Sequence, residues 1–189
     1  NPDDIQSRPV SLLGPKQQFT ILQRWWFADA DFSATWRTQA TDDLGFVAGE
    51  QLSEDDKAIL DEANRPHVVF NRFLAIIKAI AGMEINGRHE IVFTPVENDD
   101  TMVSEILSGT SRSMGNSCDA EDEQSQAFQD CLITGMGWTE ASVSYDENPE
   151  GEYREVAVDP LEMYWDCKSR QKNLIDARRV EHVRRISLE

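Results

Sequence analysis

The sequence predicts an α+β fold, with helices packed on a small antiparallel or mixed sheet. Three observations lead there. Between Phe73 and Met83, apolar residues recur every three or four positions, the period of a helix that buries one side. Residues 139–145 and 152–158 are short strand-like runs separated by the turn residues 146–151, the pattern of a hairpin. Start signals for further helices stand at Ser53, at Asn98-Asp99-Asp100 and at Cys118-Asp119.

Taken in order, residues 1–16 carry Pro2, Pro9, Gly14 and Pro15 and read as an extended arm. A helical pattern follows from about Gln17 to Leu44, with Phe19, Leu22, Trp26 and residues 32–36 near one stripe, and Asp29, Asp31, Asp42 and Asp43 on its polar side. Trp25 and Trp26 are adjacent, about 100° apart on a helix, so one narrow stripe cannot hold both. Two outcomes stay open: contact with another subunit or with further chain, or burial of both indoles in the domain's own core.

Residues 46–51 read as a connector, and Ser53-Glu54-Asp55-Asp56 as a capping box opening a helix to about Ala63. At Arg65-Pro66 the proline fixes its own φ and holds Arg65 extended. The run Val68-Val69-Phe70 leads to Asn71, whose side-chain oxygen can accept from a helix's first free amides. Phe73, Leu74, Ile76, Ile77, Ile80 and Met83 then form the stripe of a core-facing helix. Gly82 lies near its end, Asn86-Gly87 is a turn, and residues 90–94 are a strand closed by Pro95.

A helix from Asp100 carries Val103, Ile106 and Leu107 as its apolar side, and another runs from Asp119 to Ile133. Thr134-Gly135-Met136-Gly137-Trp138 passes the chain into the hairpin, which is expected to lie on the helix ending near Gly82. Alternation sets Ala141, Val143 and Tyr145 on one strand face and Ser142 and Ser144 on the other. The return strand enters Asp159-Pro160, a segment with Trp165-Asp166, and a polar linker to Asp176-Ala177-Arg178-Arg179. Residues 1–45 thus form an arm and helix, and 46–189 an α+β domain.

Composition narrows the function classes. A 40% hydrophobic fraction with five tryptophans argues against disorder over 189 residues. No run approaches the ~18 apolar residues that span a membrane, and no secretory leader pattern opens the chain. The start at Asn1-Pro2, without methionine, points to a fragment. Cys118, Cys131 and Cys167 are odd in number with no Cys-x-x-Cys spacing, which favours reduced thiols. His67, His89 and His182 lie far apart in sequence and suggest no zinc site.

The net charge is −17, concentrated in residues 97–155, where fifteen acids face only Arg112 and Arg154. Such a surface repels a phosphate backbone, so it is either a solvated face or a wall that does not grip DNA. Gly135-x-Gly137 follows a helix and precedes a strand, the reverse of a phosphate cradle. No Gly-x-x-x-x-Gly-Lys-Ser/Thr or nucleophile-elbow pattern occurs. Asp99-Asp100 and Asp119 to Glu123 lack calcium-loop spacing and are better explained as helix N-terminal acids. No catalytic, cofactor-binding or metal-ligating constellation is read here.

The order of motifs resembles the portal proteins of short-tailed double-stranded DNA bacteriophages. The residues that carry the resemblance are Gly49-Glu50-Gln51, Arg65-Pro66, Asn71-Arg72, Gly82-Met83, Asn86-Gly87-Arg88, Pro95-Val96 with Asp99-Asp100, Gly135-x-Gly137-Trp138, Asp159-Pro160, Trp165-Asp166 and Asp176-Ala177-Arg178. They span about residues 46–183. Cys167 departs from the pattern, standing where the family commonly has proline after that aspartate.

The resemblance implies a wing-like fragment of a non-enzymatic, cofactor-free structural subunit. It implies a homo-oligomeric ring, usually of twelve copies, at one capsid vertex of the virion, assembled in the bacterial cytoplasm. Its implied partners are a terminase motor, capsid and scaffolding proteins, a tail adaptor, and double-stranded DNA that passes through without sequence-specific binding. No membrane association is implied. The charge leaves an acidic binding or DNA-mimic protein as the alternative. Because a ring joins one face to a different face of its neighbour, Trp25, Trp26 and Trp36 are candidate interface residues. Arg178 and Arg179, in the only net-basic segment, are candidates to meet an acidic neighbour.

Overall fold

The computed structural model describes residues 14–88, 91–96, 100–146, 148–184 and 186–187. The N-terminal arm before Gly14, His89, Glu90, Asn98, Asp99 and Glu147 lie outside the described residues. The elements are α1 (Pro15–Ala48), α2 (Glu54–Glu62), α3 (Phe73–Asn86), α4 (Thr101–Ser117), α5 (Ala120–Thr134), β1 (Trp138–Ser144), β2 (Glu152–Val158), a 3₁₀ turn (Pro160–Glu162), β3 (Met163–Trp165) and β4 (Val180–His182). This is an α+β fold with two small antiparallel sheets, β1–β2 and β3–β4. The chain forms two compact units, one from Asn1–Gln39 with Leu161–Glu189 and one from Ala40–Pro160.

In the Ala40–Pro160 unit, α5 is the platform. Its buried positions are small, Ala120, Ser125, Ala127 and Thr134, so neighbours approach closely. The hairpin pairs in register from Trp138 with Val158 to Ser144 with Glu152. It lies on α5, not on α3 as the sequence suggested. Two glycines make this docking possible. Gly135 ends α5 in the left-handed region, φ +81°, and its amide donates to the Cys131 carbonyl at 2.9 Å. Gly137 passes so close to α5 that a Cβ there would sit 2.0 Å from the Ala127 carbonyl oxygen.

The capping box of α2 forms as read. Ser53 Oγ accepts from the Asp56 amide at 3.1 Å, and the Ser53 amide donates to Asp56 Oδ2 at 3.2 Å. Arg72 is the first residue at the α3 cap, but the side chain that reaches the helix is that of Asn71, whose Oδ1 accepts from the Leu74 amide at 3.2 Å. Asn71 also donates to the Val47 carbonyl and accepts from Gln51 Nε2 at 3.2 Å, tying the end of α1 to the start of α3.

Three expectations need correction. Residues 46–48 are not connector: α1 continues to Ala48, and Gly49 at φ +115° releases the chain. Gly82 lies near the end of α3 as read, and the helix closes at Asn86 with Gly87 as its cap. Residues 91–95 form no strand; with no strand alongside, the Phe93 amide donates to Ser108 Oγ at 3.0 Å instead. Most consequentially, α3 is not core-facing over its apolar stripe. Ala81 is its one buried residue, and Met83 stands 73% exposed. The side of α3 turned to α5 holds Glu84, and Arg88 follows just past the helix end; they bind Ser125 and Glu121.

Helix α4 shows the same inversion. Ser104 is buried, while Val103, Ile106 and Leu107 point out. In β1 the burial is not alternating, since residues 139–143 are all exposed; β2 carries the packing through Val158.

Candidate functional site

The most strongly organised group of side chains lies in the other unit, between α1 and the C-terminal segment. Asp29 sits among the aromatics of α1 and is wholly buried. A buried carboxylate is stable only when paired and hydrogen-bonded, and Arg179 supplies both. Its Nε donates to Asp29 Oδ2 at 2.7 Å and its Nη2 to Oδ1 at 2.7 Å, a bidentate fork. The Cys167 amide donates to Oδ1 at 3.0 Å. Burial alone would push the Asp29 carboxyl up, but the Arg179 bonds first, then Cys167, bring it below the usual carboxylate range.

Asp166, also fully buried, organises the loop that delivers Arg179. Its Oδ1 accepts from the Lys168 amide at 3.0 Å and Oδ2 from the Arg178 amide at 3.4 Å, while Arg179 Nη2 lies 3.4 Å from Oδ1. Asp176 closes the next turn, accepting from Ser169 Oγ at 2.6 Å and the Arg170 amide at 2.8 Å; the Ala177 amide donates to the Leu174 carbonyl at 2.9 Å. These loops place β4 against β3, Met163 opposite His182 and Trp165 opposite Val180.

A second arginine works in the opposite direction. Arg37 of α1 donates to the Leu161 and Met163 carbonyls and, through Nε, to Ser33 Oγ at 3.0 Å. Its guanidinium lies 3.6 Å from the centre of the Tyr164 ring, a cation–π contact. One arginine thus reaches from the helix to the C-terminal backbone, and the other from the C-terminal segment to the helix.

The predicted interface residues fall in this group. Trp25 lies under Arg179, 5.1 Å from its guanidinium; Trp26 meets Tyr164 edge-on at 6.0 Å, and Trp36 meets Trp165 at 5.2 Å. All three indoles are half-buried in their own unit. The aromatic surplus left outside on α1 within this unit is Phe19, Phe27 and Phe32. The acidic partner expected for Arg179 on a neighbouring subunit is Asp29 of its own chain, whereas the Arg178 side chain is exposed.

Sequence reasoning set Asp29 on the polar side of α1 and missed its role. The signal was the spacing Asp29, Ser33, Arg37: three polar residues at i, i+4 and i+8 that share one face with buried Ala40. Asp29, Asp166 and Cys167 also offer ligand atoms within 4.8 Å of one another. The guanidinium of Arg179 already lies against both carboxylates, and burial followed by the Asp29 carboxylate pushes the Cys167 thiol up, away from the thiolate a metal requires. The chemistry of this trio fits a structural ion pair.

The remaining motif residues are structural too. Arg88 binds Glu121 Oε2 at 2.8 Å and the Glu121 carbonyl at 2.9 Å, joining α3 to α5. Arg65 folds back on the end of α2, its amide donating to the Leu60 carbonyl at 2.8 Å ahead of exposed Pro66. Asp159 is exposed beside buried Pro160, which opens the 3₁₀ turn. The departure at Cys167 has a local consequence, because the amide that bonds Asp29 is one that proline lacks. Cys167→Pro is therefore expected to lower the melting temperature, by the equivalent of about 1–3 kcal/mol for a lost hydrogen bond to a charge. Cys167→Ala should cost much less; equal losses in thermal denaturation would show that the amide contributes nothing.

The arginine fork on Asp29, the close glycine approach at Gly137 and the capping box of α2 are all bonds that hold structure in place. The chain belongs to the family of phage P22-like portal proteins, whose family model matches residues 23–189. It is also similar to a portal protein of Helicobacter pylori bacteriophage KHP30, 25% identical over 169 residues, covering 89% of this chain and 28% of that protein. The chain therefore spans little more than a quarter of the length of that curated relative. Among the described residues no helix is long and apolar enough to cross a membrane.

Proposed function

We propose that this chain is the wing-like part of a portal subunit, a structural and non-enzymatic component of a homo-oligomeric ring at one capsid vertex. The observation that carries the reading is the family match, which runs through nearly the whole chain from residue 23. In this role the ring is the conduit for DNA packaging and ejection and the head–tail attachment site. A terminase motor drives DNA through it, and capsid, scaffolding and tail-adaptor proteins bind around it. The acidic stretch 97–155 suits a wall that DNA passes without sticking, since its carboxylates repel phosphates at close range.

Neighbouring subunits meet partly through α1. Its contact surface is the exposed Phe27 and Phe32 together with the outer edges of Trp25, Trp26 and Trp36, and the exposed Arg178 faces an acidic neighbour. In the full portal polypeptide, electron microscopy and native mass spectrometry should find closed rings of one stoichiometry. Phe27→Ala with Phe32→Ala should lower the ring yield while leaving the monomer folded. A full polypeptide that never forms rings would end the portal reading; rings unaffected by the two substitutions would end the α1 contact alone.

A further inference from the structure

The short sheet β3–β4 turns one face to α1, and that face carries more acid than base. Directly opposed residues of an antiparallel pair share a face, as do residues two apart along a strand. Tyr164 opposes Glu181, and the Asp166 amide donates to the Arg179 carbonyl at 3.2 Å, the next step along the same face. Tyr164 meets Trp26 and Arg37, and Arg179 reaches Asp29, so this is the side that grips the helix. Three carboxylates, Asp29, Asp166 and Glu181, share the contact with two guanidiniums, Arg37 and Arg179.

Both bases are engaged away from Glu181. Arg179 holds Asp29 through its fork and lies 3.4 Å from Asp166. Arg37 donates to the Leu161 and Met163 carbonyls and to Ser33. Cys167, on the adjoining loop, is turned to Asp29, while His182 and Arg184 bind Glu162. Glu181 Oε1 is left buried with no hydrogen-bond partner among the described residues. A carboxyl group so placed is costly when charged and far less so when protonated.

We propose that Glu181 is a proton-sensitive latch: as the neutral acid it lets β4 close on α1, and on ionising it loosens β4 and with it the Arg179 fork. The device suits its place, because β3 and β4 share only three ladder pairs, and so short a sheet opens at small cost. Burial and then the Asp29 charge raise the Glu181 carboxyl. Its grip is therefore full below the unfolded value of about 4.3 and is lost as pH rises through the raised folded value. Asp29 sets the opposite limit, since its stabilisation is lost as pH falls through its lowered folded value. The latch belongs to the fold of this unit and is independent of the portal reading.

Amide hydrogen exchange of the 189-residue chain, read at β3, β4 and the turns of α1 around Asp29, tests this. Glu181→Gln keeps the shape of the side chain and cannot ionise. Near pH 7 its exchange at these amides should be slower than the wild type's by at least about fivefold, the scale of one unmet buried polar group. The difference should vanish toward pH ~4, and comparing the two proteins at equal pH cancels the intrinsic pH dependence of exchange. A carbon-13 titration of the Glu181 carboxyl in the wild type should give a midpoint above about 4.3. Equal exchange near pH 7, or faster exchange in the glutamine variant, overturns the latch, as does a midpoint at or below that value. A difference of the same factor at every pH would show a packing effect of the substitution, which overturns it too.

Discussion

Arg179→Ala is expected to destabilise the unit that holds α1 and the C-terminal segment by about 3–5 kcal/mol, the usual cost of stranding one member of a buried ion pair. Asp29 is then left wholly buried without its fork, with the amide and thiol of Cys167 as neutral partners. Arg179→Lys should recover little, because an ammonium cannot make both bonds of the fork at once. The double variant Asp29→Ala/Arg179→Ala should lose less than the sum of the single losses, since it leaves no unpaired carboxylate at position 29. Thermal denaturation and amide exchange across α1 and β4 measure these differences. Additive losses would mean that the two side chains do not act as a pair.

The same pair fixes a pH dependence. The Asp29 carboxyl is held below its ordinary value, so the folded state binds its proton more weakly than the unfolded state does. Its stabilisation is fully present above the unfolded value of about 3.9 and is lost as pH falls through the lower folded value. Asp29→Asn should remove this component, so the gap in stability between wild type and variant narrows below pH ~4. Glu181 acts in the other direction. Burial and then the Asp29 charge push its carboxyl up, and one of its oxygens is buried with no hydrogen-bond partner among the described residues. Its contribution is present at low pH and is lost as pH rises through the raised folded value.

Gly137→Ala is the second large effect. The added methyl would lie 2.0 Å from the Ala127 carbonyl oxygen and 3.0 Å from Cys131 Cβ, and a backbone carbonyl in a helix cannot swing aside. Either β1 lifts from α5 or the end of α5 deforms, with a loss of about 1–3 kcal/mol or more. Two other glycines calibrate it. Gly82→Ala meets nothing within 4 Å in the interior of α3 and should stabilise by about 0.5–1 kcal/mol. Gly135→Ala has space but must hold φ at +81°, so it should cost about 1 kcal/mol from strain alone. A Gly137→Ala melting curve matching wild type would refute the close approach.

The local elements were legible wherever neighbours in sequence supply the stabilising groups. The Ser53 capping box, the acidic start of α5, Gly135 at its end and the hairpin turn at 146–151 all depend on bonds within a few residues. Several of the residues that carry the order of motifs are likewise local, with Asn71 capping α3, Gly87 closing it and Gly135 ending α5.

What the sequence could not determine is which surfaces meet. Periodicity reports that α3 and α4 have apolar sides, but not whether a surface covers them, and none of the described residues does so. Likewise, Asp29 reads as a solvated acid until tertiary structure brings Arg179, 150 residues away, within 2.7 Å. Hydrophobic pattern is a property of one segment, whereas burial and ion pairing belong to two, and only the folded chain decides which two.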